Sequence, residues 1–145
     1  MASSWRKTLR KSHSGQGLVE FSLLLPILLF LIMGAITLGQ IFHIKVILEN
    51  AAREGALFMV YHPDEGKLDS FALAKAAVRQ ETENSDVEIL DEDIDIYCDL
   101  GGTVNNDCPE GSSVVVTVHH EISVILDGLF GGPFTLSNDA RMLIP

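Results

Sequence analysis

Positive charge is scarce in this sequence: 10 Lys and Arg face 20 Asp and Glu, which leaves a formal net charge of −10 over 145 residues. Phosphate backbones demand clustered cations, so the deficit excludes a general nucleic-acid binder. Cysteine is nearly absent too, with Cys98 and Cys108 the only two. Two thiols fall short of the ligand set of a structural metal site. No nucleophile elbow, phosphate loop, HExxH or Ser/His/Asp grouping stands out, and the expectation is a protein that is not an enzyme and needs no cofactor. A disordered acidic tail is excluded as well, because 47% of the residues are hydrophobic and the mean hydropathy is +0.26. Charge and apolarity must therefore occupy different stretches.

They do. Residues 1–15 contain Arg6, Lys7, Arg10 and Lys11 and no acid, so the remainder carries −14. From Leu18 to Phe42 the only ionisable residue is Glu20. As a helix this run is about 37 Å long, enough to cross a hydrocarbon core of about 30 Å. Four cations before the run place the N-terminus in the cytoplasm and the acidic remainder outside, by the positive-inside rule. A cleaved secretory signal is disfavoured. The run is too long for one, and Met33-Gly34-Ala35 or Thr37-Leu38-Gly39 would be poor cleavage sites. The expected location is a single-pass protein of the cytoplasmic membrane in contact with its lipids.

The helix continues past the apolar run. Ile44, Leu48, Ala51, Gly55 and Phe58 recur at helical spacing as one stripe. Lys45, Glu49 and Arg53 take another face at i,i+4 steps. Pro63, with His62, Asp64 and Gly66 around it, ends the pattern. The expectation is one helix over about 18–61, projecting from the bilayer, with residues 16–62 as its segment and 63–145 as an exported head. Pro26 is a potential kink, and Gly34 and Gly39, with Ala35 between them, would let neighbouring helices approach closely.

In the head, KLDSFALAKAAVRQE reads as a second helix with Phe71, Ala74 and Val78 on one side. From Ser85 onward the character is β: Val87, Ile89, Ile94, Ile96 and Val114–Val118 are mostly β-branched and partly alternate with polar residues. Gly101-Gly102, Asn105-Asn106 and Pro109-Glu110-Gly111 punctuate a hairpin-like connection, and FTLSNDARML reads as a last strand. The fold class is α+β: one helix on three or four antiparallel strands. The apolar loop Gly128–Phe134 is expected to tuck under the sheet. Cys98 and Cys108, across a turn-rich loop of an exported domain, are expected to form a disulfide.

Glu81, Glu83, Asp86, Glu88, Asp91, Glu92, Asp93, Asp95 and Asp99 form a run without a base. It lacks the glycine and spacing of a calcium loop, so a solvated face is expected and no metal site is assigned. His119 and His120 are adjacent on a strand, face opposite sides and cannot share one ion. His43 and His62 have no evident partners.

The junction Ser14-Gly15-Gln16-Gly17-Leu18-Val19-Glu20-Phe21 sets a glycine before the apolar run and a glutamate five residues after it. Acids inside membranes are expensive and mark function, although Glu20 could instead snorkel to the headgroups. The combination of basic leader, Gly15, Glu20 and a long apolar helix resembles the class III signal of type IV prepilins and pseudopilins. The longer stretch GQGLVEFSLLLPILLFLIMGAITLGQIFHIKVILENAAREGA is similar to the TadE family of tight-adherence (Tad) pilus pseudopilins, and FTLSNDARM resembles the family's end. The resemblance implies cleavage by a prepilin peptidase between Gly15 and Gln16, and an assembly role for Glu20. Phe21 stands where the major pilins of this system prefer tyrosine, and the head is larger than theirs. Both departures point to a minor pseudopilin. The implied partners are the prepilin peptidase, other pilins or pseudopilins through the N-terminal helix, and the Tad assembly platform. The competing reading is an uncleaved envelope anchor whose acidic head binds calcium or another envelope protein.

Overall fold

A computed structural model describes residues 14–62, 67–83, 85, 87–105, 108–123 and 132–145. The basic leader before Ser14, the break at 63–66, Asp86, Asn106 and residues 128–131 of the glycine-rich loop lie outside these residues. The chain divides into two compact units, Met1–Ile36 and Thr37–Pro145. A single helix, α1 (Ser14–Tyr61), contributes to both. It starts four residues earlier than the expected 18, taking in Gly15 and Gln16, and it runs through Pro26.

In the first unit every described side chain from Leu18 to Ile32 is exposed. This stretch forms a helix because it is rich in leucine, and its only proline, Pro26, lies in the interior, where it removes one hydrogen bond without ending the helix. It belongs to a helix long and apolar enough to cross a membrane.

The second unit is the α+β body expected from the sequence. Thr37–Tyr61 of α1 is followed by α2 (Lys67–Thr82), a 3-10 turn (Asp91–Asp93), and strands β1 (Ile94–Leu100), β2 (Thr103–Asn105), β3 (Ser113–Ile122) and β4 (Phe134–Leu143). The strands form one sheet in the order β2-β1-β3-β4, antiparallel at each pairing. Gly101 and Gly102, with φ of 63° and 92°, make the two-residue link between β1 and β2. That left-handed pair is the backbone a tight hairpin needs, and few residues other than glycine adopt it. Two hydrogen bonds fix the chain end, Ile144 N–H to Ser112 O at 2.8 Å and Gly111 N–H to Ile144 O at 3.0 Å.

Strand periodicity decides the core. Val114, Val116 and Val118 of β3 and Ile94 and Cys98 of β1 are buried together with Leu48, Ala51, Ala52, Ala56 and Met59 of α1 and Ala74 and Val78 of α2. Small residues let α1 come close. A Cβ on Gly55 would lie 2.6 Å from Val78 Cγ2 and 3.3 Å from Val116 Cγ1. The sequence stripe Leu48–Ala51–Gly55 is thus the seam where α1 meets α2 and the sheet.

One expectation is corrected here. The β character read from Ser85 onward does not become a strand until Ile94. Val87 and Ile89 are buried and Glu88 and Leu90 exposed, so the alternation is real, but this extended segment lies outside the sheet. Alternation reports which side chains turn inward, whereas membership of a sheet depends on a neighbouring strand supplied from elsewhere in the chain.

Candidate functional site

The residues singled out in the N-terminal segment all lie on α1. Gly15 and Gln16 are in its first turn, and Glu20 follows about one turn later. Glu20 and Phe21 are exposed, Phe21 by 61%. Ser22, one turn before Pro26, donates its hydroxyl to the Val19 carbonyl at 2.8 Å. Because Pro26 has no N–H, the Ser22 carbonyl loses its ordinary partner in the helix. At Gly34 and Gly39 an added Cβ would meet nothing within 4 Å, so both glycines leave open helix surface. What this stretch presents is therefore an apolar cylinder carrying one carboxylate near its start. Side chains of this kind suit lipid or another apolar helix as their surroundings, not water.

In the second unit the expected disulfide is present, linking Cys98 to Cys108 with Cα atoms 5.2 Å apart. It ties the end of β1, where Cys98 is fully buried, to the segment that leads into β3.

Part of the acidic run is held by partners that sequence reasoning missed. Arg79 of α2 reaches Asp91 Oδ1 at 3.0 Å, and Lys75 Nζ donates to the Asp91 carbonyl at 2.6 Å. Asp93 accepts the Leu90 N–H at 3.0 Å. Asp99 accepts the Gly102 N–H at 2.8 Å and faces Arg141 of β4 at 3.5 Å. Asp95 contacts His119 at 3.2 Å. Four of the nine acids thus brace turns and cross-strand contacts. Among the described residues, no three His, Cys, Asp or Glu side chains are grouped to hold a metal ion.

His119 faces away from the core and His120 shares the side of Val118, as expected of neighbours on a strand. Asp95, His119 and Ser137 fall on three adjacent strands, with Ser137 the register partner of His119. The Asp95 and His119 side chains are 67% and 36% exposed, so this is a contact on an open sheet face. A groove of about 990 Å³ lies between the end of α2 and residues 85–91, lined by Arg79, Gln80, Glu83, Ser85, Glu88 and Asp91 among others. The Arg79 cation there is already committed to Asp91. The β1–β3 and β3–β4 registers bring Asp95, His119 and Ser137 together, and no local spacing encodes that meeting.

Comparison with known families finds a match to the model described as TadE-like protein, over residues 15–57. No curated protein and no solved structure matches the chain. The matched region begins at Gly15, includes the exposed apolar stretch, and ends at Leu57 within the part of α1 that packs on the sheet. Over these residues the chain is similar to the TadE-like family, and the match spans less than half of its length, a likeness consistent with a protein of the Tad pilus system.

Proposed function

We propose, from the TadE-like character of residues 15–57, that this chain is a minor pseudopilin that takes part in assembling a tight-adherence pilus for surface attachment or secretion. The observation that carries the reading is the coincidence of that match with an exposed apolar helix that has a glycine at its start and a carboxylate five residues on. In this reading the +4 leader holds the N-terminus in the cytoplasm until a prepilin peptidase cuts after Gly15. The cut removes the leader and creates an α-amine on Gln16. An amine there can neutralise Glu20 of the same or a neighbouring subunit, and a carboxylate in an apolar bundle needs such a partner. The apolar face then serves lipids before assembly and other pilins during it, with the Tad platform as the machine that draws it out.

Mass spectrometry of protein from the native membrane tests the processing step: an N-terminus at Gln16 is expected, and an intact Met1 or Ala2 start overturns it. Glu20→Ala tests assembly. The variant is expected to insert and be cleaved but to lose piliation, and normal piliation removes the proposed role of Glu20.

A further inference from the structure

Within the second unit α1 has two sides. Leu48, Ala51, Ala52, Ala56 and Met59 are buried in the core, and Ile44 and Ile47 pack against it half-buried. The other side is exposed along its length, yet its chemistry changes on the way. Leu38, Phe42 and Val46, at successive i,i+4 steps, are 57%, 65% and 56% exposed. The same steps then reach Asn50 and Glu54, both exposed, with the ion pair of Glu49 and Arg53 beside them. The two borders do not coincide. Packing on the core starts at Ile44, but the exposed face stays apolar as far as Val46. A helix surrounded by water wherever the head does not cover it would turn polar where that packing starts.

We propose that Leu38, Phe42 and Val46 lie against lipid, so that the margin of the bilayer crosses α1 between Val46 and Asn50 and the head is seated in the headgroup layer. Continuity supports lipid as the cover. These side chains extend the exposed apolar surface of Leu18–Ile32, on a helix long and apolar enough to cross a membrane. Length agrees. Leu18 to Val46 amounts to about 42 Å of helix, which overshoots a hydrocarbon core of about 30 Å but matches the 40 to 45 Å or so of a bilayer with its interfacial layers. The polar residues at this level fit an interface as well. Gln40, His43 and Lys45 are exposed beside the apolar stripe. The Lys45 stem can lie along apolar surface while its ammonium meets a lipid phosphate. At the same turns Ile44, Ile47 and Leu48 pack into the head, so lipid and head core flank α1 at one level. The helix therefore holds the head against the headgroups and does not lift it clear of them.

The test uses the full-length chain at one copy per nanodisc, which removes a second copy as the cover. Phe42→Trp, Val46→Trp and Arg53→Trp are made one at a time together with Trp5→Phe, because Trp5 is the only natural tryptophan. Lipid brominated near the headgroup quenches an indole that it touches, and aqueous iodide quenches one that water reaches. Brominated lipid should cut the emission of Phe42→Trp and Val46→Trp about twofold and leave Arg53→Trp unchanged, with iodide giving the reverse pattern. Val46→Trp quenched by iodide and not by lipid overturns the proposal. So does Val46→Trp shielded from both, which reports cover by protein, and so does equal lipid quenching of Arg53→Trp, which removes the margin. Should a tryptophan disturb the fold, nitroxide lipid replaces it on the natural chain: the Val46 methyl resonances should broaden, and unbroadened resonances overturn the contact. The inference requires α1 in a membrane but no pilus. An uncut N-terminus ends the processing reading and leaves the lipid contact standing, whereas loss of lipid quenching ends the contact and leaves processing standing.

Discussion

The two stretches of α1 are both helical and both apolar, yet their side chains meet opposite fates. From Leu18 to Ile32 they are large and exposed. From Leu48 to Met59 the inward positions are mostly small, and Leu48, Ala51, Ala52, Ala56 and Met59 are buried to 3% exposure or less. Bulk pointing outward on all sides suits a fluid solvent of lipid, which adapts to any shape. Small residues on one stripe suit a fixed partner, because close approach of a helix to a sheet requires room at the contact. Apolarity alone does not distinguish the two, and side-chain size with its periodicity does.

The sharpest way to break this comparison is to put a charge on each stretch. Leu28→Arg should weaken membrane integration, since a central arginine opposes insertion by about 2.5 to 3.5 kcal/mol on translocon scales. Carbonate extraction of membranes would then release a larger share of the variant than of the natural chain. Arg53 already shows that the exposed face of the second stretch carries charge: it lies 3.6 Å from Glu49, both side chains more than half exposed.

Truncating one leucine in each stretch asks the same question of packing. Leu48 is fully buried, so Leu48→Ala should destabilise the second unit by about 2 to 5 kcal/mol through lost transfer energy and the cavity left behind. Leu28 is 51% exposed, and Leu28→Ala should change the same unfolding midpoint by less than about 0.5 kcal/mol. Denaturant titration of the full chain in detergent, read by sheet circular dichroism, measures both. Equal effects would mean that the two stretches are not differently packed.

Cys98→Ser with Cys108→Ser belongs to the same scale. Closing so short a loop is worth about 3 kcal/mol in the chain-entropy account, and the same titration should show that loss. The stripe Leu48–Ala51–Gly55, the boundaries of the last strand and the likelihood of this disulfide were legible beforehand because each depends on nearby residues. The contacts on Asp91 were not. Arg79 and Lys75 reach it across the turn after α2, and the 16-residue separation of Lys75 leaves no periodic mark. Val87 and Ile89 alternate like a strand but lie outside the sheet, since a ladder needs a neighbour that the local sequence does not specify. Asp95 and His119 likewise meet only through the register of β1 on β3.

Glycine gives the finest comparison, because the same substitution should change sign between the stretches. Within a helix, alanine is favoured over glycine by about 0.5 to 1 kcal/mol through chain entropy. At Gly39 an added Cβ meets nothing within 4 Å, so Gly39→Ala should leave the isolated chain unchanged or slightly more stable. At Gly55 the same methyl would lie 2.6 Å from Val78 Cγ2, closer than any ordinary contact. Val78 is itself fully buried and has little room to turn. Overpacking of this kind opposes the helix gain by about 1 to 3 kcal/mol, and the balance at Gly55→Ala should be net destabilisation. Gly55→Ala combined with Val78→Ala removes the clashing Cγ2, and the two changes should then add to less than their separate losses, since they share one contact. Strict additivity would show that Gly55 is there for some reason other than the approach of α1 to α2.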